Sequence, residues 1–216
     1  MRALRTLSTL GLIAGLGACG NPPTEMPDVP ELPMEDAGGT PTCGRPNIDT
    51  AVDSFGTSVG TYFDQVTIPR CDGTPYSFYN DDFCNDTHRL TVVSIAAIWC
   101  VPCQEESALL TERVTNAYAD QGVRVIQIIV DGTPPGTTFT PAQCQQWVDT
   151  YGLVNVELMD LVDGVAGSII GERFPSGSLP STLLVDDTGR IVFREDGASP
   201  GLNTLRAAIE AQLSGT

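Results

Sequence analysis

Leu90-Thr-Val-Val-Ser-Ile-Ala-Ala-Ile-Trp-Cys-Val-Pro-Cys103 decides the fold of this 216-residue chain. Leu90 to Ile98 is a near-continuous apolar run, as in strands buried on both faces of a parallel sheet. Two thiols two residues apart follow it directly. From Pro102 to Asp120 a helical pattern takes over, with Leu110, Val114, Ala117 and Tyr118 on one face. A strand that ends in Cys-x-x-Cys at a helix start places both sulfurs on the first helical turn. There they can close a small disulfide ring or pass that disulfide to another protein.

Outward from this stretch, strands and helices alternate. Phe63 to Pro69 and Pro75 to Tyr79 flank Asp72-Gly73, a hairpin turn signal. Gly122 ends the first helix, and Val123 to Val130 reads as a second buried strand. A Gly/Pro/Thr loop, Gly132 to Thr140, leads to a helix over Pro141 to Tyr151 and a short strand over Val154 to Met159. Leu183 to Val185 and Ile191 to Arg194 form a hairpin about Asp187-Thr188-Gly189. Ser199 and Pro200 read as the cap and first residue of a terminal helix, with Leu202, Leu205, Ile209 and Leu213 on its apolar face. A βαβ unit followed by a hairpin and a helix predicts a three-layer α/β/α sandwich, here with an N-terminal β-hairpin extension and an inserted helix.

The first 42 residues read differently. Met1 to Arg5 is a short basic segment, and Leu7 to Leu16 is an apolar run too short to span a bilayer. Leu16-Gly17-Ala18-Cys19 resembles a bacterial lipobox, which implies cleavage after residue 18 and lipidation of Cys19. Three acyl chains on one Cys would anchor stably. Gly20 stands where an inner-membrane retention Asp would be, so outer-membrane sorting with the domain facing the periplasm of a Gram-negative-type envelope is the default. Residues 20–42 hold six prolines and five acids. Such a segment cannot bury enough apolar surface to fold, and it reads as a tether reaching up to roughly 70 Å at ~3.1 Å per residue. The folded domain is expected over 43–216.

All eleven basic side chains are Arg, and the net charge is −16. Phosphate contact needs a basic face, so nucleic-acid binding is not expected. A zinc site wants four Cys or His ligands. The chain has one His, His88, and no second Cys-x-x-Cys, so neither metal nor other cofactor is expected.

Cys100 reads as the attacking thiol, because helix N-terminal N–H groups favour a thiolate. Cys103, one turn further in, reads as the resolving thiol. Trp99 is expected to pack beside the sulfurs and shield them. Leu179-Pro180-Ser181-Thr182 stands just before the apolar Leu183-Leu184-Val185. With Trp99-Cys-Val-Pro-Cys103, Glu106, Asp72-Gly73 and Pro180, the chain over about Phe63 to Thr216 resembles the thioredoxin superfamily, and within it the TlpA/ResA-type membrane-tethered thiol:disulfide oxidoreductases.

That resemblance implies a thioredoxin-like fold and a cis Pro180 facing the disulfide, with Leu179 offering its backbone to a substrate strand. It implies that Glu106 accepts the Cys103 proton. It also implies protein thiol or disulfide substrates and an outside electron donor or acceptor, with the domain working as a monomer. Two departures stand out. Thioredoxin's buried Asp, six residues before the first Cys, is Ser94 here. Ala108 stands where relatives often carry Pro. Glu105 and Glu106 beside the site oppose thiolate formation at Cys100.

Two other chemistries fit these residues less well. A peroxiredoxin-type peroxidase wants a Thr two or three residues before its Cys, where this chain has Ile98-Trp99. A copper carrier of the Sco type resembles Cys-x-x-x-Cys with a later His; the spacing here is one residue short, and His88 comes first.

Cys43, Cys71, Cys84 and Cys144 remain. An even remainder in an exported chain predicts two structural bridges, and three pairings are possible. The short loop around Asp72-Gly73 favours Cys71–Cys84, which leaves Cys43–Cys144.

Overall fold

The computed structural model describes Cys43 and residues 55–215 apart from 86, 139, 155 and 160–177. Cys19, the leader over 1–18 and the tether over 20–42 lie outside the described residues.

A five-stranded mixed sheet carries the fold. Its strands are β3 (Leu90–Ala97), β4 (Val123–Asp131), β5 (Val156–Met159), β6 (Ser181–Asp186) and β7 (Ile191–Asp196), in the order β5-β4-β3-β6-β7. The first three are parallel, and β6 and β7 are antiparallel to their neighbours. All eight residues of β3 are buried, as expected of a central strand.

Side-chain alternation sends β3 residues to two different cores. Leu90 and Val92 pack with Val123, Val125 and Leu184 against Leu110, Val114, Tyr118, Leu205 and Ile209. This face carries three helices: α1 (Val101–Leu110), α2 (Pro141–Tyr151) and α3 (Asn203–Ser214). Val93 and Ile95 point the other way, with Ile126, Ile128, Leu183 and Val185, into an aromatic core of Phe63, Tyr76, Phe78 and Phe83. The N-terminal hairpin supplies that core. Its strands are β1 (Thr67–Pro69) and β2 (Pro75–Ser77), paired antiparallel. Gly73 at φ +82 supports the turn, and Asp72 Oδ1 accepts from the Thr74 amide and hydroxyl.

Four local expectations are revised. The hairpin strands are shorter than the apolar pattern suggests, because Phe78–Phe83 winds into a wide π-helical turn that swings Phe78 and Phe83 into the core. The first helix starts at Val101 and passes through a π-turn at Thr111–Thr115. Leu110, Val114 and Tyr118 are spaced by four, and each such step overshoots an α-helical turn by about 40°. A wider turn offsets that drift and keeps all three residues buried. Ala117 faces solvent instead. Ser199 does not cap the terminal helix. Pro200–Leu202 forms one 3₁₀ turn, Gly201 and Leu202 adopt positive φ, and the Ser199 hydroxyl pairs with Thr204 at 2.7 Å.

The disulfide pairing is also corrected. Cys43 joins Cys84, and Cys71 joins Cys144. Cys71 and Cys84 are close in sequence but pack in different cores: Cys71 beside Cys144, and Cys84 against the aromatic core with Cys43. Strand β2 carries the chain from one to the other, with Tyr76 in the aromatic core before the π-helical turn begins. By restricting the unfolded chain, closure of loops this long contributes about 4 kcal/mol each.

The start of β4 holds a buried charge cluster. Asp82 Oδ1 accepts from Thr91 Oγ1 at 3.1 Å and lies 3.6 Å from Arg124, whose guanidinium also stacks on Tyr76. Asp82 Oδ2 has no partner. Burial pushes the Asp82 carboxyl up to about 6, against Arg124 and Thr91. Burial and Arg124 lower His88, so its 3.7 Å approach to Asp82 is not an ion pair at neutral pH. A carboxyl raised in the folded state contributes stability that is present below its unfolded value and lost as pH rises through about 6. Asp82→Asn should therefore gain about 2 kcal/mol on the wild type between pH 4 and pH 8. Urea unfolding at the two pH values measures it, and a constant difference between the proteins contradicts the assignment.

Candidate redox site

Cys100 caps the N-terminus of α1 and is disulfide-bonded to Cys103. Ending β3 at Ala97 turns the chain sharply, with the Cys100 amide donating to Ala97 O. Extended backbone at Cys100 then lets the helix begin, and its Sγ accepts from the Cys103 amide at 3.2 Å. Pro102 occupies the first turn, where its missing N–H costs nothing. Both cysteines are buried, Cys103 completely and Cys100 at 3 % exposure.

Apolar side chains bury the sulfurs. Ala96, Ala97, Ile129, Trp147 and Leu153 form one cluster with the redox pair, and Leu179 packs on it. The Leu179–Pro180 peptide is cis, and Pro180 is buried at the head of β6. Chain segments 76 residues apart thus meet at this cluster. Trp99 has a different place from the one expected. Trp99 is 41 % exposed, and its indole N–H donates to Asp131 Oδ2 at 2.6 Å. The Asp131 carboxylate also accepts from the Gly136 amide at 3.0 Å, which ties the loop after β4 to Trp99.

Glu106 lies one turn beyond Cys103 on the buried face of α1. Its Oε1 accepts from Thr182 Oγ1 at 2.8 Å and from Ser94 Oγ at 3.3 Å; Oε2 is buried without a partner. Burial raises its pKa most, the Thr182 and Ser94 hydroxyls oppose this, the Glu195 charge adds to it, and the Ser199 amide lowers it. Ser94 thus holds the carboxyl of Glu106 where thioredoxin has an Asp of its own.

Sequence reasoning missed the rest of this network. Gln127 Nε2 donates to Ser107 Oγ at 2.8 Å and to Ser94 Oγ at 3.3 Å, and Gln127 Oε1 accepts from Trp147 Nε1 at 2.8 Å. Ser107 Oγ donates to Cys103 O at 2.7 Å. Gln127, Ser94, Thr182 and Glu195 are register partners across β4, β3, β6 and β7, a polar row beneath α1. The signal was a polar residue set inside an apolar run, Ser94 in β3 and Gln127 in β4. Among the described residues no three His, Cys, Asp or Glu side chains converge as metal ligands.

Similar structures share this architecture. A Chlorobium tepidum protein assigned as a thiol:disulfide interchange protein DsbE superposes with a TM-score of 0.58 at 16% identity, covering 73% of this chain and 99% of its own. A thiol-disulfide oxidoreductase from Bacteroides fragilis gives 0.53 at 20%, covering 70% and 99%. A hypothetical protein from Sinorhizobium meliloti 1021 gives 0.56 at 23%, covering 76% and 88%. At these identities the likeness shows the thioredoxin-like fold. No curated protein matches the chain. The family model described as Redoxin matches residues 58–209, and with the Cys-x-x-Cys helix and the facing Leu179-Pro180 it places this chain in the Redoxin family.

Proposed function

We propose that this oxidoreductase exchanges its Cys100–Cys103 dithiol or disulfide with cysteines of exported proteins, from a position facing the periplasm and tethered through Cys19. The observation that carries the exchange reading is the disulfide at the start of α1, packed in one cluster with Leu179. In the reduced protein the Cys103 amide and the helix N-terminus favour a Cys100 thiolate. That thiolate attacks a substrate disulfide, forming a mixed disulfide and releasing the substrate's other sulfur. Cys103 then attacks Cys100 Sγ, restoring the Cys100–Cys103 disulfide and freeing the second substrate sulfur. Cys103 must lose a proton first, and Glu106 is the buried carboxylate on the same helical face. The exposed Trp99 and Val101 flank Cys100 and offer apolar surface to an unfolded substrate.

Reduction of insulin disulfides by the reduced protein tests the exchange. In Cys103→Ser a Cys100–insulin mixed disulfide should accumulate and be visible on a non-reducing gel; its absence contradicts the order of attack. Cys19 lipidation is tested separately. Radiolabelled palmitate should enter the full chain made in a Gram-negative host and fail to enter Cys19→Ala. Label in both forms would overturn it.

A further inference from the structure

The cluster that buries the redox disulfide also holds a second disulfide. Cys71, Cys100, Cys103 and Cys144 all pack within it, whereas Cys43–Cys84 sits against the aromatic core on the other face. The two helices that carry Cys103 and Cys144 are keyed to each other. Trp147 on α2 donates to Gln127, Gln127 donates to Ser107 on α1, and Ser107 donates to Cys103 O. Cys103 lies one turn before Ser107, and Cys144 lies one turn before Trp147. Helices joined at one level bring their next level together, and helical side chains lean towards the N-terminus, here towards each other's cysteine level. Cys103 and Cys144 are both fully buried, which is what mutual packing requires. Cys71, at 8 % exposure, is the outermost of the four.

We propose that Cys71–Cys144 is a second exchangeable disulfide, serving as an internal relay for the Cys100/Cys103 pair. The proposal rests on reading that pair as the exchanging one. In the reduced pair, the Cys103 thiolate attacks Cys144 Sγ. A Cys103–Cys144 bond forms, the Cys71–Cys144 bond breaks, and the electron pair leaves on Cys71, which takes up a proton. The Cys100 thiolate then attacks Cys103 Sγ, closes Cys100–Cys103 and expels Cys144 as a thiolate that is protonated in turn. Two electrons and two protons move from one dithiol to the other, and no outside reductant is consumed. With both pairs reduced the chain stores four electrons. The stored pair returns to Cys100–Cys103 by the same steps in reverse.

Cys100→Ala leaves Cys103 as the lone thiol of its pair. After incubation of this variant at pH 8, acid quench and alkylation, non-reducing peptide mapping should find Cys103 joined to Cys144 and Cys71 alkylated. Cys71–Cys144 intact with Cys103 alkylated overturns the relay. A second measurement uses folded protein and dithiothreitol. Cys71–Cys144 should open at least tenfold faster in the wild type than in Cys100→Ala/Cys103→Ala; equal rates overturn the relay. If the wild type reduces insulin while Cys71–Cys144 fails both tests, the relay alone is wrong. If insulin is not reduced either, the reading of Cys100/Cys103 fails and the relay falls with it.

Discussion

Cys100→Ser is expected to bring insulin reduction down to the uncatalysed rate, a fall of roughly 10³-fold or more. A hydroxyl is not ionised at neutral pH and cannot form a mixed disulfide, so the first covalent step is lost outright. The substitution should cost little in folding. Cys100 occupies a helix N-cap, where Ser is among the preferred residues, and the hydroxyl can still accept from the Cys103 amide. The variant gives up the Cys100–Cys103 ring, but its loop is short and restricts the unfolded chain least of the three bridges. Turnover by a folded Cys100→Ser protein at more than a few per cent of wild type would mean that another sulfur starts the reaction.

Glu106→Gln carries the second large effect, and it has opposite signs for rate and stability. Glu106 must be ionised to take the Cys103 proton, and burial holds its pKa above the ordinary carboxylate range. The resolving step of the wild type should therefore slow as pH falls through that raised value. Gln cannot take the proton, so the variant should lose this limb and resolve about 10²-fold more slowly at neutral pH. Stability should move the other way. A raised carboxyl weakens the folded state as pH rises through its folded pKa, and the Gln side chain carries no charge to bury. Its carbonyl oxygen can keep the Thr182 and Ser94 bonds, and its amide replaces the partnerless Oε2. Stopped-flow decay of the mixed disulfide from pH 5 to 9, with urea unfolding beside it, measures both. A slower variant that is also less stable, with the acidic limb retained, would reduce Glu106 to a packing role.

Local patterns carried most of the fold. The uninterrupted apolar runs at Leu90 and Val123 mark central parallel strands because both faces are covered, and the Pro141–Tyr151 helix carries a complete Thr140/Gln143 capping box. The redox pair was legible from its place between strand and helix. What could not be read locally depends on long-range placement. The pairing of Cys71 with Cys144 spans 73 residues and follows from which core each cysteine faces, a property of tertiary packing. Trp99 reads as a shield because it adjoins Cys100, yet its indole is claimed by Asp131, 32 residues later. Gln127 and Thr182 look incidental within their strands until register sets them on either side of Ser94.

That row of Gln127, Ser94 and Thr182 also acts as an alignment key for the sheet. Side chains alternate between faces, so a slip of one residue in any of these strands sends its polar member to the opposite side. There it would meet Phe63, Tyr76, Phe78 and Phe83 with nothing to bond to, at about 1–3 kcal/mol for each stranded group. Val, Ile and Leu neighbours would tolerate such a slip, being nearly interchangeable in either core. Three polar side chains thus disfavour the misaligned sheets that the apolar majority leaves within reach, and the pocket beneath the redox helix also sets the strand register.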